Sequence, residues 1–144
     1  EFVRGLGGEI GSVYVGQSKD AEGYLKGHQV EQNYSAVSGA CLMVRKDLFE
    51  AVGGLDEEHF DEAFADVDLC LKVADAGYLT VWTPQAQLLH SGVLPEATQA
   101  RAALRDKWRA RFERDSAYNQ NLALTGKGFT LGDASSVNWA QLLA

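Results

Sequence analysis

The sequence predicts an α/β fold, a sheet with packed helices, and two observations carry that prediction. An apolar, strand-like run, "YSAVSGACLMVR", leads directly into a short helical pattern, "KDLFEAVGG". A second helical pattern opens near Asp66, ends at Gly77 and is followed at once by the strand-like "YLTVWTP". Strands and helices that alternate at such short spacing are the signature of an α/β layer architecture.

The elements follow in order. Residues 1–33 are glycine-dense and weakly patterned, which predicts loops around little regular structure, with one short strand at "SVYVG". The "GLGGEIG" run misses the dinucleotide fingerprint, because Ile10 stands where the third glycine is needed and no strand precedes it. Gly53 and Gly54 stop the first helix, and the acidic loop "LDEEHFDEAF" leads to the second. Pro84 closes the strand after Gly77, in which Trp82 reads as core, and a further apolar piece, "AQLLHSG", follows. In "EATQARAALRDKWRARFE", Ala97, Ala100, Leu104, Trp108 and Phe112 mark one face of a helix. The tail after Asp115 reads as irregular. The chain thus divides into a glycine-rich segment (1–33), a patterned core (34–95), and a helix with a tail (96–144).

Composition bounds the function. A chain of 144 residues, 46% hydrophobic and 23% charged with 2 prolines, is one soluble domain or part of one. A net charge of −7 gives no general attraction to nucleic acid. No apolar run approaches a membrane span and the first residues lack signal-peptide order, so the cytoplasm is the expected compartment. Cys41 and Cys70 each sit in an apolar pattern and read as buried free thiols.

Two aspartates open the second helix. Asp68, Lys72 and Asp75 fall on one stripe, with Asp68 set to pair with Lys72, which predicts solvated surface for Asp68. Asp66 lies about 200° around the axis, with Cys70 and Val73 on the apolar side. Two explanations of Asp66 stand side by side: an N-cap, whose carboxylate satisfies free backbone N–H groups and complements the helix dipole, and a carboxylate facing a cleft to take a proton from a bound hydroxyl. The string "DVD" matches the metal-holding Asp-x-Asp of sugar transferases, but on a helix the two carboxylates diverge and cannot share one cation.

From Ala36 to Gly92 the chain resembles the acceptor-side half of family 2 glycosyltransferases of the GT-A fold. The marks are Gly39-Ala40 after an apolar strand, the turn Gly53, Gly54, Asp56, Glu57, the acidic helix start at Asp66, Gly77-Tyr78, and His90 after the next strand. The downstream "RDSAYNQNLALTGKGFTLG" looks like a closing segment of bacterial members that build O-antigen and related surface polysaccharides, rhamnosyltransferases among them.

This resemblance implies an incomplete nucleotide-diphospho-sugar transferase sheet with packed helices, and an inverting transfer from a nucleotide sugar to a glycan or lipid-linked glycan. It implies Asp66 as the general base. It places Gly39, Ala40, Asp56 and Glu57 at the acceptor cleft, and His90 at a divalent cation (Mn²⁺ or Mg²⁺) or a donor phosphate. For Asp56 and Glu57 a capped turn is an equal explanation, and for His90 a backbone-bonded strand end. Ala65 departs from the family's usual acidic residue before the base. The nucleotide-binding half should lie before residue 34, so the chain is expected to be a fragment, inactive alone. The alternative is a non-catalytic carbohydrate-binding or regulatory module derived from such an enzyme. Arg101, Arg105, Lys107, Arg109, Arg111 and Arg114 form a basic helix face over 101–114, open to two readings: a solvated surface, or a peripheral contact with the inner face of an anionic membrane.

Overall fold

The computed structural model describes residues 2–60, 63–89, 91, 98–113 and 115–132. Among these residues the fold is mixed α/β, with two small antiparallel sheets and three α-helices. Strands β1 (Phe2–Arg4) and β2 (Ile10–Ser12) pair with Val3 opposite Gly11, and β3 (Gln32–Tyr34) pairs with β4 (Thr80–Trp82) with Asn33 opposite Val81. The helices are α1 (Lys46–Ala51), α2 (Ala65–Asp75) and α3 (Thr98–Trp108).

Both helix stops read from glycine are Schellman caps. After α1, Gly53 N–H donates to the Glu50 carbonyl and Gly54 N–H to that of Phe49. After α2, Gly77 N–H donates to Ala74 and Tyr78 N–H to Val73. Both caps need a left-handed residue, supplied by Gly53 (φ 87°) and Gly77 (φ 87°).

Two core clusters hold the elements together. Val67, Cys70 and Leu71 of α2 pack against Ala100, Leu104 and Trp108 of α3, with Ile10, Ala36, Phe60 and Phe112 closing the cluster. The second cluster joins Val3, Leu6, Val13, Tyr34, Tyr118 and Leu122, with Trp82 half-buried against it, as its reading as core anticipated. Burying each large apolar side chain contributes about 1.5–3 kcal/mol.

The structure corrects several expectations. The "YSAVSGACLMVR" run is not one strand: β3 ends at Tyr34, Ala36 bridges to Phe2, and Gly39–Cys41 form a 3-10 turn. Its apolar residues look strand-like, but residues 42–44 make no backbone hydrogen bond to another described residue, and a strand exists only with a ladder partner. Cys41 is exposed for the same reason, whereas Cys70 is buried and its thiol pushed up by that burial. The first segment contains a strand pair rather than a strand at "SVYVG", and it supplies Val3, Leu6, Ile10 and Val13 to the core. Residues 86–89 of "AQLLHSG" have no regular structure, and Leu88 and Leu89 are exposed.

Candidate functional site

Phe64, in the left-handed conformation (φ 70°), turns the chain into α2 and occupies the cap position without a side-chain cap bond. Asp66 is therefore a first-turn residue, not the cap. Its Oδ1 accepts from Val67 N–H at 2.8 Å and its Oδ2 from Gly39 N–H at 2.6 Å. The first bond fits a carboxylate at a helix start. The second joins two motif residues 27 positions apart and seats the Gly39–Cys41 turn on the end of α2. Ser38 Oγ accepts from Ala40 N–H at 3.3 Å and completes the turn.

The absence of a side chain eases this approach: a Cβ at position 39 would stand 3.1 Å from Asp66 Cβ and 3.4 Å from its Oδ2, so one of the two would have to give by a few tenths of an ångström. Asp66 is half-buried, whereas Gly39 and Ala40 are exposed. Gly39 and Ala40 also line one end of a groove of 950 Å³ that runs past Cys41 and Met43 to β4. Ala65 packs partly buried against the main core, an apolar setting.

Asp68 overturns its expected place. It is 0% exposed, with Oδ1 accepting from Trp108 Nε1 at 2.8 Å and lying 2.8 Å from Lys107 Nζ, while Oδ2 lies 3.0 Å from Lys72 Nζ. The pairing with Lys72 is as anticipated, but α3 covers this stripe of α2. Helical period separates the two aspartates correctly without revealing which side is covered.

Asp56 is bound into the same network. Lys107 Nζ donates to its Oδ2 at 2.9 Å, and His59 donates to its Oδ1 from the backbone N–H at 3.2 Å and lies 2.9 Å away through Nδ1. The hydrogen bonds from His59 and then Lys107 hold the Asp56 carboxyl far below the ordinary carboxylate range, and Asp56 in turn raises His59. Burial alone would lower Lys107, but Asp68 and Asp56 together raise it. Lys72 Nζ also donates to the Gly54 carbonyl at 2.6 Å, fixing the Gly-Gly turn against α2. The structure thus brings Asp66, Gly39 and Ala40 together. It ties Asp56 to Lys107 and His59 instead, and leaves Glu57 exposed.

His90 and Arg114 lie outside the described residues. Among the described residues no three His, Cys, Asp or Glu side chains converge. Lys107, read from sequence as part of a basic face, proves to be the link between the Asp56 loop and Asp68. The other described basic residues of that face also have acidic partners: Arg101 and Arg105 reach Glu9, Arg109 reaches Asp106, and Arg111 reaches Asp75. No helix among the described residues is long and apolar enough to cross a membrane.

The chain is 41% identical over 148 residues to an uncharacterized protein y4gI of Sinorhizobium fredii, covering 95% of this chain and 16% of that protein. It is 46% identical over 54 residues, 38% of its length, to an N-acetylglucosaminyl-diphospho-decaprenol L-rhamnosyltransferase of Mycobacterium tuberculosis, of which it covers 17%. It is 34% identical over 103 residues, 65% of its length, to the O-antigen biosynthesis protein RfbC of Myxococcus xanthus, covering 8% of that protein. The chain therefore spans less than a fifth of each relative. No family model matches the chain, and no solved structure does.

Proposed function

We propose that these residues form the acceptor-side part of an inverting glycosyltransferase of the GT-A type that builds surface polysaccharide. In this reading a sugar passes from a nucleotide-sugar donor to a hydroxyl of a glycan or lipid-linked glycan. The observation that carries it is the 2.6 Å contact between Asp66 Oδ2 and Gly39 N–H, which unites the two strongest motif positions beside an open groove. Similarity to proteins named as a rhamnosyltransferase and an O-antigen biosynthesis protein supports the substrate class.

Asp66 takes the proton of the acceptor O–H while the oxygen attacks the anomeric carbon. The bond from that carbon to the diphosphate breaks, and its electron pair leaves with the nucleoside diphosphate. The two backbone N–H donors orient the carboxylate, and each oxygen keeps a further lone pair for the acceptor hydroxyl. Gly39 and Ala40 shape the acceptor edge.

A second reading draws on the same bonds: with both oxygens already accepting backbone N–H groups, Asp66 is a structural pin in a non-catalytic carbohydrate-binding module. Transfer by the full-length polypeptide and its Asp66→Asn variant, with donor binding followed in parallel, separates the two. Loss of transfer with donor binding and fold retained supports the base; unchanged transfer supports the pin.

A further inference from the structure

A second cavity, of 340 Å³, opens at the end of α2 away from Asp66. Leu71 and Ala74 of α2 line it, which places it roughly 8–12 Å along the helix axis from that carboxylate at 1.5 Å per residue. Tyr78, Leu79 and Thr80 line both this pocket and the 950 Å³ groove, and so form the wall between them. Its volume is at the small end of the about 300–1,000 Å³ usual for small-molecule sites, which suits one or two sugar rings.

Two guanidinium groups make the polar wall. Arg4, its side chain 11% exposed, donates from Nε to Ser35 Oγ at 2.9 Å and from Nη1 to the Arg111 carbonyl at 3.2 Å, and its Nη2 lies 3.8 Å from Asp115. Arg111 reaches Asp75 Oδ1 at 2.7 Å through Nη2, while its Nε is buried and has no hydrogen-bond partner among the described residues. A buried donor left without an acceptor is costly, and a bound acceptor atom removes that cost. The two cations already face two carboxylates, so the wall offers no surplus positive charge to a phosphoryl group. The ligand that fits is neutral and polar.

The remaining groups narrow its chemistry. Ser35 Oγ accepts from Arg4, as does Ser116 Oγ at 3.4 Å, which leaves each hydroxyl its own proton to donate. The Asn33 carboxamide lines the pocket with donors and an acceptor together. Tyr78, 45% exposed, adds an aromatic wall, and Arg45, which lines only the groove, stands over that ring 5.9 Å from its centroid. A pyranose presents the matching surfaces: hydroxyls that donate and accept, and a C–H face that packs on an aromatic ring. We infer that this pocket is an auxiliary saccharide site, which holds one pyranose residue of a neutral glycan at the end of α2 remote from Asp66. The inference stands whether Asp66 is a base or a structural pin.

The test is hydrogen exchange over residues 116–118 of the full-length polypeptide, with and without saturating methyl pyranosides of a hexose, a 6-deoxyhexose and an N-acetylhexosamine. At least one pyranoside should slow exchange there by about threefold or more, because a ligand bound to the closed form suppresses local opening. The slowing should persist in Asp66→Asn and disappear in Ala117→Trp, which fills the pocket. Arg111→Lys, which keeps a charge beside Asp75 but loses Nε and the guanidinium plane, should weaken the apparent affinity by about tenfold. Asn33→Ala, at an exposed position, should weaken it as well and serves in place of Ala117→Trp if that variant does not fold. Exchange unchanged by every pyranoside would overturn the inference, as would slowing that survives in Ala117→Trp or Asn33→Ala. Slowing lost in Asp66→Asn would place the sugar at that carboxylate instead, and slowing by inorganic phosphate alone would make the pocket an anion site; either result contradicts the inference.

Discussion

Trp108 Nε1 donates a 2.8 Å hydrogen bond to Asp68 Oδ1, joining α3 to α2 across 40 residues of sequence inside the core. The carboxylate is fully buried, and Lys72 and Lys107 balance its charge. A buried carboxylate without partners would be strongly unfavourable, so this set stands or falls together.

Removing the carboxylate therefore weakens the fold. Asp68→Ala should cost about 2–4 kcal/mol, less than a wholly enclosed ion pair because both lysines can turn to solvent. Trp108→Phe, which removes the N–H donor together with the pyrrole part of the buried indole, should cost about 1–3 kcal/mol through the unpaired carboxylate and the small cavity it leaves. Urea unfolding of both variants, with the double variant showing less than the sum, checks the coupling.

The Asp56–His59 pair gives the molecule a pH signature. His59 is raised by Asp56, so its contribution is fully present below its unfolded value of about 6.5 and is lost as pH rises through its folded value. Asp56 is depressed, so its contribution is present above about 3.8 and is lost as pH falls toward its folded value. Together they favour mildly acid conditions. NMR titration of His59 should give a midpoint above the ordinary histidine value, returning toward it in Asp56→Asn.

Gly39→Val tests the close approach to Asp66. The added Cβ meets the Asp66 side chain at 3.1 Å, and either the turn or the carboxylate must move. Because Gly39 is exposed, we expect a stability change under about 1 kcal/mol, as for surface substitutions. With Asp66 as the proposed base, a steady-state assay of the full-length protein should show kcat falling by about tenfold, because even a shift of a few tenths of an ångström disturbs the geometry of proton transfer.

Much of this fold is legible in the sequence because it is local. The stops of α1 and α2 follow from glycines that only a left-handed cap requires, and the buried face of α3 follows from the spacing of Ala100, Leu104 and Trp108. What depends on distant neighbours is not legible. Asp68 reads as surface because nothing near it in sequence announces that Trp108 and Lys107 will cover it. The run through Cys41 and Met43 reads as a buried strand, yet its exposed residues line the open groove. In the site, the motif positions Asp66 and Gly39 could be named from sequence, but their hydrogen bond could not. Lys107 carried no signal beyond its basic face.

The most direct test of the central claim is sugar transfer by the full-length protein against a panel of nucleotide sugars, beside Asp66→Asn. With Asp66 as the proposed base, the parent protein should transfer sugar to a glycan or lipid-linked acceptor, and the variant should lose about a hundredfold or more in kcat with donor binding and melting temperature retained. Transfer undiminished by Asp66→Asn would contradict it and leave Asp66 as the pin that holds the Gly39–Cys41 turn to α2.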